Sequence, residues 1–147
     1  MLSYRKTTTK DYEDTLTKWW SDWRWMAPSL DFLPEDGIIV SSDGIDVCAC
    51  YIYNTNSKVM WMEFIISNMD IKDKSIRMKS LQYMFDIVKA IAGSSGKKYI
   101  MCNTKNQPLV NKLSQSGFLK GSENVTEMIC ILSVSYTHLT LPTNREV

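Results

Sequence analysis

Lys98-Tyr99-Ile100-Met101-Cys102 runs directly into Asn103-Thr104-Lys105-Asn106-Gln107-Pro108-Leu109, and Gly117-Phe118 comes further along. The first run is short, apolar and rich in strand-forming residues, which reads as a buried strand. An Asn then opens a helix, because its side-chain oxygen can accept from the orphan N–H groups of the first turn. Pro108 falls near the helix start, where its missing donor is not needed. Gly117 is a stop signal, and Phe118 leads into another extended segment.

Working outward, Gly93-Ser94-Ser95-Gly96 ends a longer helix whose apolar face is Met78, Leu81, Phe85, Val88 and Ala92, spaced three and four apart. A polar connection from Ser67 to Asp73 precedes it. Ile38-Ile39-Val40, Val47 to Tyr53 and Val59 to Ile66 read as a meander of three strands. Their turns are Ser41-Ser42-Asp43-Gly44 and Asn54-Thr55-Asn56-Ser57. Nearer the start, Leu2 to Thr7 alternates like a strand, and an amphipathic helix begins at Thr9 or Lys10, with Tyr12, Leu16, Trp19, Trp20 and Trp23 near helical spacing. Packing on the core accounts for Trp19 and Trp23 by their i, i+4 spacing and leaves Trp20 and Trp25 facing a groove or a partner. Past Phe118 we expect a short strand at Phe118 to Lys120 and a closing strand from Val125 to Leu132. The fold class is α/β, a mixed central sheet with flanking helices in the order β-α-β-β-β-α-β-α-β.

Composition narrows the class. The net charge of +1 gives no electrostatic footprint for nucleic acid or a membrane surface. No apolar run is long enough to span a bilayer and no secretory signal is present, which points to the cytoplasm. The four cysteines form one C-x-C pair, Cys48 and Cys50, and two lone thiols, Cys102 and Cys130, each read into an apolar strand. That spacing suits buried reduced thiols rather than a zinc site, so no metal is expected. Monomer and homodimer both stay open.

The last residues read differently. Val134 to Thr143 back-translates without a gap to GTC TCT TAT ACA CAT CTG ACG CTG CCG ACG, one frame of a transposase-type sequencing adapter. Residues 133–147 are therefore read as an artefact tail and 1–132 as a single domain. His138, the one histidine of the chain, falls in that tail, which removes histidine from the candidate chemistry.

The strand–Asn–helix–Gly-Phe order resembles the C-terminal half of the GNAT acetyltransferase superfamily, where the motif is N-x-x-A-x-x-x-Y ending in G-F. Asn106 and Phe118 stand at the family's spacing, Leu109 takes the small or apolar place, and Leu113 stands where the family has Tyr. The resemblance implies an acetyl-CoA-dependent N-acetyltransferase in which an amine attacks the thioester directly, through a tetrahedral intermediate. It also implies that the strand ending at Ile66 and the one starting at Tyr99 lie parallel and splay apart. The pantetheine arm of acetyl-CoA would then lie along the backbone of Phe64, Ile65 and Ile66. The family's pyrophosphate loop, R/Q-x-x-G-x-G/A, aligns with Lys72-Asp73-Lys74-Ser75-Ile76-Arg77, where Ser75 and Arg77 replace both glycines. A helix start favours anions, and the cluster of Lys72, Lys74, Arg77 and Lys79 there reads as either an anion cradle or a solvated face capped by Asp70 or Asp73. Asn106 completes the cofactor-binding set.

The catalytic candidate is Glu63, the only carboxylate within the strand Val59 to Ile66. Alternation places it with Trp61 and Ile65 on one face, opposite Met62, Phe64 and Ile66. A carboxylate in apolar surroundings has a raised pKa suited to a base; the plainer reading is a solvent-facing residue paired with a lysine. The acceptor is a small-molecule or peptide amine. Loss of the glycines and the Tyr supports a second reading, a catalytically inactive GNAT-fold binding or interaction protein.

Overall fold

The computed structural model describes residues 1–132; the tail 133–147, with His138 and the adapter reading, lies outside the described residues. Among the described residues five strands form one sheet in the order β1-β2-β3-β4-β5. They are β1 (Leu2–Lys6), β2 (Gly37–Ser42), β3 (Ile45–Asn54), β4 (Val59–Ser67) and β5 (Tyr99–Met101). The first three junctions are antiparallel. The β4–β5 junction is parallel, as it must be when a helix carries the chain across the sheet. That helix is α3 (Lys74–Ser94); α1 (Thr9–Asp11) and α2 (Thr17–Asp22) lie between β1 and β2, and α4 (Gln107–Gln115) comes after β5.

Local chemistry explains the ends of these elements. Thr8 and Asp11 form a reciprocal capping box at α1. Asp43 and Gly44 both adopt positive φ, 49° and 82°, and make the two-residue turn that joins β2 to β3 with the twist a hairpin needs. At the end of α4, Gly117 takes φ 98° and the Phe118 N–H donates to the Leu113 carbonyl at 3.0 Å. Lys89 of α3 donates to the Ser116 carbonyl at 2.6 Å, which ties the two helices together.

The sheet buries both faces. On one, Ile38, Val40, Cys48, Cys50, Ile52, Met60 and Met62 pack under Leu81, Met84, Phe85 and Val88 of α3. On the other, Ile39, Ala49, Tyr51 and Ile66 pack against Leu16, Trp19 and Trp20. These three helical residues lie at i, i+3 and i+4, the spacing of one helical stripe. Trp20 thus belongs to the core and Trp23 is 37% exposed, opposite to the sequence expectation, while Trp25 is 45% exposed, as expected. The reason is local: α2 ends at Asp22, so Trp23 occupies its C-cap at the rim, and a π-helical turn at Tyr12–Leu16 shifts the phase of the turns after it.

Two further expectations are corrected. No strand forms at Phe118 to Lys120 or Val125 to Leu132, because a strand needs a ladder partner and these residues make none among the described ones. Val125, Met128, Ile129, Ile131 and Leu132 are all exposed. Cys130 is accordingly exposed rather than held in a strand, and Cys102 is half-buried; Cys48 and Cys50 are fully buried.

Candidate functional site

The β4–β5 ladder contains Val59 with Tyr99, Met60 with Ile100 and Trp61 with Met101, and then stops. β5 ends there, but β4 continues to Ser67. From Met62 onward the β5-facing edge of β4 has no ladder partner among the described residues. The two chains part, and one side chain bridges the opening: Glu63 Oε1 accepts from the backbone N–H of Asn103 at 3.1 Å.

A bulge sits at the same level of β4. Tyr51 pairs with Glu63 and Ala49 pairs with Ile66, so two residues, Phe64 and Ile65, stand opposite Cys50 alone. Phe64 takes φ 54°, a conformation that costs a non-glycine residue about 1–2 kcal/mol and that persists where surrounding structure fixes it. The inserted residue reverses the alternation beyond Glu63. Trp61 and Glu63 share a face as expected, but Phe64 packs with Trp19 and Trp20 and Ile65 with the α3 core. Simple alternation gave the opposite assignment because it carries no information about a bulge.

Glu63 is half-buried. Burial pushes its pKa above the usual carboxylate range, the Asn103 N–H pulls it partly back, and the charge of Glu127 raises it again. Among the described residues it forms no ion pair with a lysine or arginine, so the paired surface carboxylate is not what the structure contains. Cys102 lies close by; burial, then the Glu63 charge, pushes its thiol up to about 12. Burial likewise pushes Cys48 up to about 12. Thiols in this state are protonated at neutral pH and poor nucleophiles. Among the described residues no group of three His, Cys, Asp or Glu side chains could hold a metal ion.

The start of α3 is occupied by its own chain. Asp73 is the N-cap, and its carboxylate accepts from the N–H groups of Ser75 at 2.8 Å and Ile76 at 3.3 Å. Arg77 Nη1 donates to the carbonyls of Ile71 at 3.1 Å and Lys72 at 2.9 Å. Lys72 Nζ donates to the Met69 carbonyl at 3.1 Å. Lys74 is exposed. Donors that a phosphate would need are thus satisfied by a side-chain anion, and the basic groups lock the preceding loop. Asn106 is the N-cap of α4, accepting from the Leu109 N–H at 2.9 Å. Leu113 is buried in the α3 core rather than at the opening.

Aromatic residues border Glu63, and sequence reading singled out few of them. Tyr51 and Tyr53 lie opposite Glu63 and Trp61 on β3. The Tyr53 hydroxyl donates to the Phe32 carbonyl at 2.5 Å, and its ring centroid is 6.3 Å from that of Phe64. At the far end of β4, Trp23 Nε1 donates to the Ser67 carbonyl at 2.9 Å, and Trp23 stacks on Trp25 at 5.6 Å. Period-two alternation alone groups Tyr51 with Tyr53; their neighbours depend on long-range register. A cavity of about 420 Å³ lies beside Tyr51, walled by Leu30, Leu33, Pro34 and Thr7.

The fold has counterparts of known structure. No protein-family model matches the chain, and no curated protein does. Solved structures do. A GNAT family acetyltransferase from Staphylococcus aureus superimposes with a TM-score of 0.61 over 87% of this chain and 98% of its own, at 12% identity. Glucosamine-6-phosphate N-acetyltransferase from Arabidopsis thaliana gives 0.57 over 88% and 99%, at 10% identity. N-acetylglutamate synthase from Neisseria gonorrhoeae, in complex with coenzyme A and N-acetyl-glutamate, gives 0.60 over 83% of this chain and 29% of that larger one, at 14% identity. The chain has the fold of the GNAT acetyltransferases, in a divergent form.

Proposed function

We propose that the protein is an acetyl-CoA-dependent N-acetyltransferase acting on a small-molecule or peptide amine. The observation that carries this reading is the Glu63 carboxylate held across the β4–β5 opening by the Asn103 N–H. Acetyl-CoA supplies the acetyl thioester as co-substrate. In our reading its arm runs along the backbone of Phe64, Ile65 and Ile66, where β4 has no partner strand among the described residues. A β4 N–H there polarises the thioester carbonyl as its oxygen gains charge. Glu63 takes a proton from the acceptor nitrogen, directly or through a water, and its raised pKa suits a base working near neutrality. A C–N bond forms, the C–S bond breaks, and the CoA thiolate leaves. Leu113 has no proton to give, so water or the substrate protonates that thiolate, and turnover is slow.

The opening suits the thioester arm better than the start of α3 suits the pyrophosphate. Lys72, Lys74, Ser75, Ile76 and Arg77 hold the phosphates, in our reading, only once the Asp73 carboxylate gives up the N–H groups it occupies. That same capping supports the second reading, an inactive GNAT-fold binding protein. Thermal-shift measurement with acetyl-CoA, CoA and no ligand tests the first step, since a ligand of the native state must stabilise it. A rise in melting temperature with both supports the proposal, and no shift at saturating concentrations contradicts it.

A further inference from the structure

A second cavity, of about 260 Å³, lies on the α3 face of the sheet, away from Glu63. Its floor is Ile38, Ile52 and Met60, all buried members of the core under α3. Ile91 and Ser95 cover it from the end of α3, the end opposite the Asp73 cap. Glu63 belongs to the other face with Tyr51, its partner on β3. The residues that line this cavity include none from the β4–β5 opening or from the loop before α3.

Lys6 and Asp36 stand at the mouth. Backbone contacts hold both in place: Lys6 is in register with Ile38, and the Ile52 N–H donates to the Asp36 carbonyl at 2.7 Å. Their charged groups come within 3.6 Å, with the side chains 65% and 62% exposed. Water screens such a pair, so a ligand can replace it at little cost. One cation and one anion side by side above an apolar floor are complementary to a zwitterion with an apolar tail. A plain amine or a plain acid would leave one of the two groups without a partner. The last turn of α3 carries no basic side chain, and the negative end of its dipole adds to the pull on an ammonium. The volume is below the roughly 300–1,000 Å³ of sites for drug-sized ligands, which suits a molecule no larger than one amino acid.

We propose that this cavity is a binding site for a free α-amino acid with an aliphatic side chain. Its ammonium meets Asp36, its carboxylate meets Lys6, and its side chain lies on Ile38, Ile52 and Met60. The site is separate from the acetyl-transfer reading and stands whether or not that reading holds.

Calorimetric titration of the full chain with L-leucine, isoamylamine, isocaproate and glycine tests it. Isoamylamine lacks the carboxylate, isocaproate the ammonium and glycine the side chain. L-leucine should bind at least tenfold tighter than each of the other three. Asp36→Asn and Lys6→Met should each weaken L-leucine at least fivefold without lowering the melting temperature, since both side chains are largely in solvent. Ile91→Trp, which fills the cavity from the helix, should abolish binding in a protein that still melts cooperatively. Glu63→Gln should leave the affinity within twofold. No binding of L-leucine, or binding no tighter than that of isoamylamine or isocaproate, would overturn the assignment. Binding lost in Glu63→Gln and kept in Asp36→Asn would also overturn it, by moving the amino acid to the opening.

Discussion

The backbone N–H of Asn103 meets the Glu63 carboxylate at 3.1 Å, just past the last paired residues of their two strands, Trp61 and Met101. One contact thereby holds the Glu63 carboxylate across the opening between the two strands. It also links the chain just after β5 to the bulge in β4, two features far apart in sequence.

Glu63→Gln keeps the shape and the acceptor oxygen for Asn103 but removes the charge. Because burial raises the folded-state pKa of Glu63, the stability tied to its protonated form is present below the ordinary carboxylate range and lost as pH rises through the raised value. The variant should therefore melt higher than wild type at pH 7. That advantage should shrink as pH falls through the raised pKa and flatten below the ordinary range. Melting curves from pH 4 to 8 check this; a variant less stable at pH 7 would mean that the Asn103 bond outweighs the burial.

Asp73→Ala removes the cap of α3 and should destabilise the protein by about 1 kcal/mol. It also frees the Ser75 and Ile76 N–H groups that Asp73 now occupies and deletes a negative charge. CoA should then bind at least threefold tighter to a protein that melts lower. Calorimetry and melting on the same samples give both numbers. A loss of affinity in step with stability would remove the helix start from the binding site.

Leu113→Tyr introduces the residue type of the GNAT motif that this stretch resembles, but not its surroundings. Leu113 is 6% exposed and packed against the α3 core, so a larger ring overpacks it at a cost of about 1–3 kcal/mol. Melting should fall without any gain in the rate of CoA release. A faster enzyme of unchanged stability would show that the ring reaches the opening.

Gly37→Ala probes the register of the sheet. A Cβ at Gly37 would sit 2.5 Å from Thr7 Oγ1 and 2.6 Å from the Tyr51 ring, and Tyr51 pairs with Glu63. The substitution should destabilise by about 1–3 kcal/mol and shift the pH dependence of CoA release. Unchanged melting would contradict the close packing of β2 on Tyr51.

The features legible in the sequence are those that depend on residues close along the chain. Asn106 as a cap, Gly117 as a stop and Asp43-Gly44 as a hairpin turn each come from the side chain and its own backbone. The face of Phe64 was not legible, because a bulge arises only when β4 is laid against β3. The exposure of Val125 to Leu132 was hidden for the same reason: these residues have strand propensity, and propensity does not supply a partner edge. Trp20 and Trp23 exchanged roles because a π turn and an early helix end shift the phase of the stripe. Of the site, Glu63 could be picked out as a lone charge in an apolar strand. Tyr51 and Tyr53 come beside it through the register of β3 on β4, and nothing in their local spacing points to Glu63.

Release of CoA from acetyl-CoA across a panel of polyamines, amino acids and peptide N-termini, with wild type and Glu63→Gln side by side, tests the central claim most directly. Wild type should turn over slowly, at a rate that rises with pH as Glu63 loses its proton. The variant should lose about a hundredfold, the usual scale for a missing general base. Identical rates in the two proteins, or no release by wild type with any amine, would contradict the role assigned to Glu63.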